Sequence, residues 1–308
     1  MMAWLRKTSS LLLALMLPAS CLAQNSAPAA NESDDSGAAC PVKSLLMNFD
    51  VEHHDQIVGE APIWRLRDDT AFFFTAGLAI DADGAPNAYN ADNTGLDDLS
   101  NAGAPGHWDG VLQDEAGNPL VQGAQDPFPG FYISCTALSD WTKEHLDPTR
   151  FVDASKIPYI ALPGTLARAA GARLGDIAAV LNRRNGKYSF AIFADIGTFG
   201  EGSIALAQNL GIWSDARRGG SWGGLTYLVF PGSGDHRPKS VDEINQIGAA
   251  LLQDWGGAEQ MRACLDYGGN GWRPWQPWPA ASNAPGAVKA SVTPEAKPTA
   301  TAEHAPAN

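Results

Sequence analysis

The chain is poor in cysteine and in cations, and beyond its first twenty residues it has no apolar run long enough to span a bilayer. Of the four cysteines, Cys21 lies near the start, leaving Cys40, Cys135 and Cys264. Three thiols are too sparse for a disulfide scaffold and show no CxxC spacing for zinc. One disulfide and one free thiol are expected in an oxidising compartment, with the pairing left open. Lys and Arg number 21 against 34 Asp and Glu, for a formal charge of -13. That balance disfavours nucleic acid and anionic membrane surfaces as partners and is compatible with a cationic ligand. His53, His54, His107, His145 and His236 do not fall into ligand spacing, so no metal or other cofactor is expected. No serine stands in a nucleophile context, Ser233 included, and there is no internal repeat.

What is present begins with an export signal. Arg6 and Lys7 precede the short apolar stretch at 11–17, and small residues then lead to Ala23. This is the layout of a secretory signal peptide, with cleavage expected after Ala23. A lipid anchor on Cys21 is the alternative, disfavoured by Pro18 where a lipoprotein signal prefers Leu. Losing Arg6 and Lys7 without any acid takes the charge from -13 to -15. Residues 24–39 and 279–308 are Ala, Pro, Ser, Thr and Asn-rich and bury too little to offset ordering entropy. The expected organisation is therefore a signal peptide (1–23), a linker (24–39), one secreted or periplasmic domain (40–278) that is monomeric, and a disordered tail (279–308).

Within the domain, strands dominate. Residues 70–80 (TAFFFTAGLAI), 130–137, 157–162, 177–181, 188–194 and 225–230 read as strands, two of them joined around the hairpin signal Asn185-Gly186. Residues 85–129 are rich in Gly, Asn, Asp and Pro and read as a long ordered loop. A short helix is expected over 203–210. A second starts at the capping box Ser240/Glu243 and runs to Trp255, with Ile244, Ile247, Leu251 and Trp255 on one face. The fold class predicted is mainly β (α+β): a small barrel with peripheral helices and long loops.

Asp195 and Glu201 are the candidate catalytic acids. Asp195 ends the apolar run 190–194, where a carboxylate is out of character, and Glu201 follows across Gly197 and Gly200 in a turn leading to a helix. Two carboxylates in different surroundings have their pKa values pushed apart, so one donates a proton while the other accepts one. That division of labour serves glycoside hydrolysis. The competing explanation is that both acids only cap a turn and a helix. Trp213, Trp222, Trp272, Trp275 and Trp278 offer flat faces suited to sugar rings or to packing, and Trp213 and Trp222, close after the turn, have the better claim.

The segments Gly175-Asp176 through Val180, Phe190 through Asp195-Ile196-Gly197, and Gly200-Glu201-Gly202-Ser203-Ile204 resemble the core of the chitosanases of glycoside hydrolase family 75. Asp81-Ala82-Asp83-Gly84 after a strand is similar to that family's N-terminal turn. The resemblance covers roughly 74–234 and implies that Asp195 and Glu201 are the catalytic pair, with inversion at the sugar. It also places Asp81 and Asp83 as substrate contacts, which Trp213 and Trp222 join on the strength of their flat aromatic faces alone. A calcium turn at Asp81/Asp83 lacks further ligands. In this chain the two acids are six residues apart, closer than in fungal members, which bears on the substrate more than on the reaction. The same stretch resembles the double-psi β-barrel motif, a fold that also houses cellulases, peptidoglycan lytic transglycosylases and non-catalytic binding proteins. The expectation is an endo-acting chitosanase with a polysaccharide partner. The alternatives are a peptidoglycan-cleaving enzyme and a carbohydrate-binding barrel.

Overall fold

The computed structural model describes residues 40–53, 56–264 and Tyr267. The signal peptide, Cys21, the linker, the tail and Trp272, Trp275 and Trp278 lie outside the described residues. Ten strands are present: β1 (Val42–His53), β2 (Gln56–Leu66), β3 (Phe72–Asp81), β4 (Gly103–Ala104), β5 (His107–Trp108), β6 (Tyr159–Leu162), β7 (Ile177–Asn182), β8 (Tyr188–Ile196), β9 (Glu201–Ser203) and β10 (Ser221–Phe230). Four helices accompany them: α1 (Gly164–Ala170), α2 (Ile204–Asn209), α3 (Val241–Trp255) and α4 (Gly257–Ala263).

Six strands close into a barrel in the order β3-β10-β7-β8-β6-β9, with β9 pairing back onto β3. Closure leaves these strands no open edge. Two of the pairings, β6 with β8 and β3 with β9, are parallel; the others are antiparallel. This is the mainly-β barrel expected from the sequence, and it is compatible with a double-psi arrangement. Residues 177–182 and 189–194 are buried without a break because the barrel interior covers one face and helices cover the other.

Helix α3 starts at the expected capping box. Its buried face is Ile244, Gly248, Leu252 and Trp255, while Ile247 and Leu251 are half-buried. The rotation follows from Gly248. A Cβ there would sit 2.4 Å from the ring of Phe190, so only a glycine lets the helix approach β8 this closely.

Three differences from the sequence expectations have identifiable causes. The β1–β2 hairpin is unforeseen because three register shifts break its alternation, between Val42/Ser44, Leu45/Met47 and Val51/Glu52. Helix α1 is hidden between Pro163 and Gly171, in a segment only seven residues long. Residues 130–137 form no strand. They make isolated bridges instead, Tyr132 to Val121 and Ser134 to Val111, within the long loop region. That region is ordered by its own turns, as its composition implies. A disulfide joins Cys40 to Cys264 across 224 residues, and Cys135 is the free thiol among the described residues.

Candidate functional site

The site starts with an irregularity in β8. Ile160 on β6 pairs with Phe193, but the next residue, Ala161, pairs with Asp195, so Ala194 is an extra residue in the ladder. A bulge of this kind turns the following side chain out of the alternation, and here that side chain is Asp195. On the opposite side of β6, the same Ala161 pairs with Glu201. The two acids therefore stand on the strands flanking Ala161, two strand spacings or about 10 Å apart across the sheet, backbone to backbone.

Glu201 is aimed by its turn. Its Oε2 accepts from the Thr198 backbone N–H at 2.6 Å and from the Thr198 hydroxyl at 3.2 Å. The carboxylate lies so close to Gly197 that a Cβ there would be 2.1 Å from Oε2. Phe199 anchors the turn, stacked between Phe49 at 5.0 Å and Phe74 at 4.8 Å, and Phe74 stacks in turn on Tyr227 at 4.8 Å.

Asp195 Oδ1 accepts from the Ala137 N–H at 3.0 Å and its neighbour Ile196 N–H at 2.8 Å. These bonds favour the ionised form, yet burial outweighs them and pushes Asp195 up to about 7. Asp81 and Asp83 join it. Asp81 closes β3 and accepts from the Asp83 N–H at 2.8 Å, and Asp83 accepts from the Tyr89 hydroxyl at 2.7 Å. Burial first, then the neighbouring carboxylates, raises both well above the usual carboxylate range. Carboxylate oxygens of Asp81, Asp83 and Asp195 lie within 4.8 Å of one another, a grouping able to hold a cation or to share protons. Among the described residues no ion pair links any of the three to a cationic side chain.

Sequence reasoning missed the groups behind this cluster. Tyr89 also reaches Asp97 at 3.4 Å, and burial pushes Asp97 up to about 6. The Tyr159 hydroxyl donates to the Asp83 carbonyl at 3.1 Å. Neither tyrosine carries a local motif; Tyr89 comes from the loop just after Asp83, and Tyr159 is brought there by the barrel. Cys135 is also near. Burial, then Asp83 and Asp195, pushes its thiol up to about 12, which makes it a poor nucleophile.

The four sequence-predicted acids thus converge, and the chain carrying the two tryptophans approaches β3 through its backbone. Gly220, whose N–H donates to the Trp213 carbonyl at 2.8 Å, packs on Leu78 of β3, next to Ala79, the register partner of Glu201. Trp222 is the second residue of β10, where the backbone of residues 221–222 packs against Gly77. Trp213 is 61% and Trp222 65% exposed. On the Asp195 side, the exposed Trp141 follows four residues after Ala137. Arginines accompany two of these rings: Arg218 lies 5.8 Å from the Trp213 centroid and Arg237 5.3 Å from that of Trp141. No protein-family model and no curated protein matches the chain.

Proposed function

We propose that the protein is an exported glycoside hydrolase that cleaves an amino-sugar polymer, chitosan first, with Asp195 as general acid and Glu201 as general base. The observation that carries this reading is the placement of the two acids on strands flanking Ala161, one of them raised to about 7 by burial. A carboxyl protonated near neutral pH can give its proton to the glycosidic oxygen. The other carboxylate, oriented by Thr198, draws a proton from water attacking the opposite face of the sugar. Inverting enzymes hold their carboxyls about 6.5–9.5 Å apart to admit that water, and a two-strand separation of about 10 Å between backbones is compatible with it. The remaining acids, Asp81 and Asp83, suit the ammonium group of a glucosamine unit. The Cys40–Cys264 disulfide supports a location in an oxidising compartment, in agreement with the signal-like N-terminus. Among the described residues no helix is long and apolar enough to cross a membrane.

A second substrate, peptidoglycan, is favoured by Arg218 and Arg237 beside the exposed tryptophans. Guanidinium groups there repel a polycation and suit acetylated, carboxylate-bearing sugars. Reducing-end release on chitosan and on purified peptidoglycan decides between them, with the anomer of the first product followed by NMR. If the wild-type protein releases nothing from either polymer, the hydrolase reading fails and a binding barrel takes its place.

A further inference from the structure

We infer that Arg217 is a positioning residue that holds the Trp213 loop against residues 93–97, so that Trp213 serves as a stacking platform for a substrate sugar ring. The inference rests on the glycan-cleaving reading and adds to it the device that fixes the platform.

Trp213 belongs to a compact loop, residues 213–220, whose ends meet through the Trp213 carbonyl and the Gly220 N–H. Inside it the Asp215 carboxylate accepts from the Arg217 N–H at 3.0 Å and pairs with Arg218 at 3.0 Å. These bonds shape the loop but do not fix where it stands. Arg217 does that. The two N–H bonds of its Nη2 are shared among the carbonyls of Asp97 at 2.7 Å, Asn93 at 2.8 Å and Gly95 at 3.1 Å and Asn93 Oδ1 at 3.1 Å. Its Nε reaches the Gly95 carbonyl at 3.3 Å. One guanidinium thus gathers the acceptors of residues 93–97, about 120 positions earlier in the chain.

The far end of this strap is not a neutral anchor. Asp97, whose carbonyl receives Arg217, has its carboxylate against Tyr89, and Tyr89 donates to Asp83. Arg217 therefore ties the aromatic loop to the segment that supports the buried acids. A surface tryptophan left on a free loop would lose its ordering entropy on each binding event, whereas one already fixed has lost it in folding. The guanidinium reaches these carbonyls with two nitrogens, Nη2 and Nε, in a rigid plane, where a lysine ammonium offers one nitrogen.

The test is steady-state hydrolysis of a soluble chitosan hexamer by Arg217→Gln, Arg217→Lys, Trp213→Ala and Arg217→Gln/Trp213→Ala. Loss of a platform that grips ground state and transition state alike raises KM about tenfold and leaves kcat within about threefold. Arg217→Lys should recover part of the loss, and the double variant should be no worse than Trp213→Ala, since both changes remove one element. Losses that multiply, or an unchanged KM in Arg217→Gln, overturn the inference. A readout free of turnover accompanies it: 19F NMR of 5-fluorotryptophan-labelled protein. The Trp213 signal, assigned by Trp213→Phe, should shift in Arg217→Gln while that of buried Trp255 stays; an unmoved Trp213 signal overturns the strap. If the wild type cleaves neither polymer, the hydrolase reading alone is lost, and the 19F signal still decides the role of Arg217.

Discussion

Replacing Asp195 with Asn should destroy activity and stabilise the fold, and the stabilisation should depend on pH in one direction only. In the folded protein Asp195 titrates at about 7, against 3.8 for an exposed aspartate. Below 3.8 both folded and unfolded chains hold the proton and the group contributes no pH dependence. As pH rises from there, the unfolded chain ionises while the folded one stays protonated. Folding then loses about 1.4 kcal/mol per pH unit until the folded group ionises near 7, after which the penalty is constant. The gap of about three pKa units corresponds to on the order of 4 kcal/mol, reduced to about 2–4 kcal/mol because the side chain is partly open to water. Asn keeps an oxygen for the Ala137 and Ile196 N–H groups but carries no charge to desolvate. At pH 8 the variant should melt about 5–15 °C above the wild type, at roughly 2–4 °C per kcal/mol for a domain of this size. The difference should shrink steadily below pH 7. Thermal melts by circular dichroism from pH 3.5 to 9 measure it. A variant less stable than wild type at pH 8, or a difference that does not change with pH, refutes the account of Asp195 as a proton-holding buried acid.

Glu201→Gln should lower the rate about 10²–10⁴-fold while the protein stays folded and still binds polymer, as measured by hydrolysis and affinity electrophoresis on the same preparation. Wild-type turnover would remove Glu201 from the pair. Gly197→Ala should cost about 1–2 kcal/mol and at least tenfold in kcat, because the new methyl occupies the place of the Glu201 carboxylate; melts and rates check both, and an unchanged rate counts against the turn geometry. Phe199→Ala should loosen the same turn by emptying its place between Phe49 and Phe74, for a loss of about 2 kcal/mol and reduced kcat, read by urea unfolding and kinetics.

Much of the barrel is legible in the chain because uninterrupted apolar stretches such as 177–181 and 188–194 are the mark of strands covered on both faces. Asp195 and Glu201 stand out for the same reason: each interrupts or follows such a stretch. The β1–β2 hairpin is illegible because its bulges scramble the period of two. The support of the site is illegible for a different reason. Tyr89 and Asp97 come from one loop, but Tyr159 and Arg217 come from distant elements, and only the folded domain makes all four neighbours. Local pattern carries no trace of contacts made across 120 residues.

The Cys40–Cys264 bond makes the described domain a closed ring of chain. A single proteolytic cut, for example in the exposed turns of residues 91–94 or 113–118, opens the ring without producing two molecules. The nicked protein keeps its mass on a non-reducing gel and falls into two pieces only on reduction. Its fragments also stay in each other's presence when they unfold, so they can find one another again at a rate independent of protein concentration. If the protein is exported as proposed, the bond converts backbone cleavage from a loss of half the barrel into damage that the fold can survive.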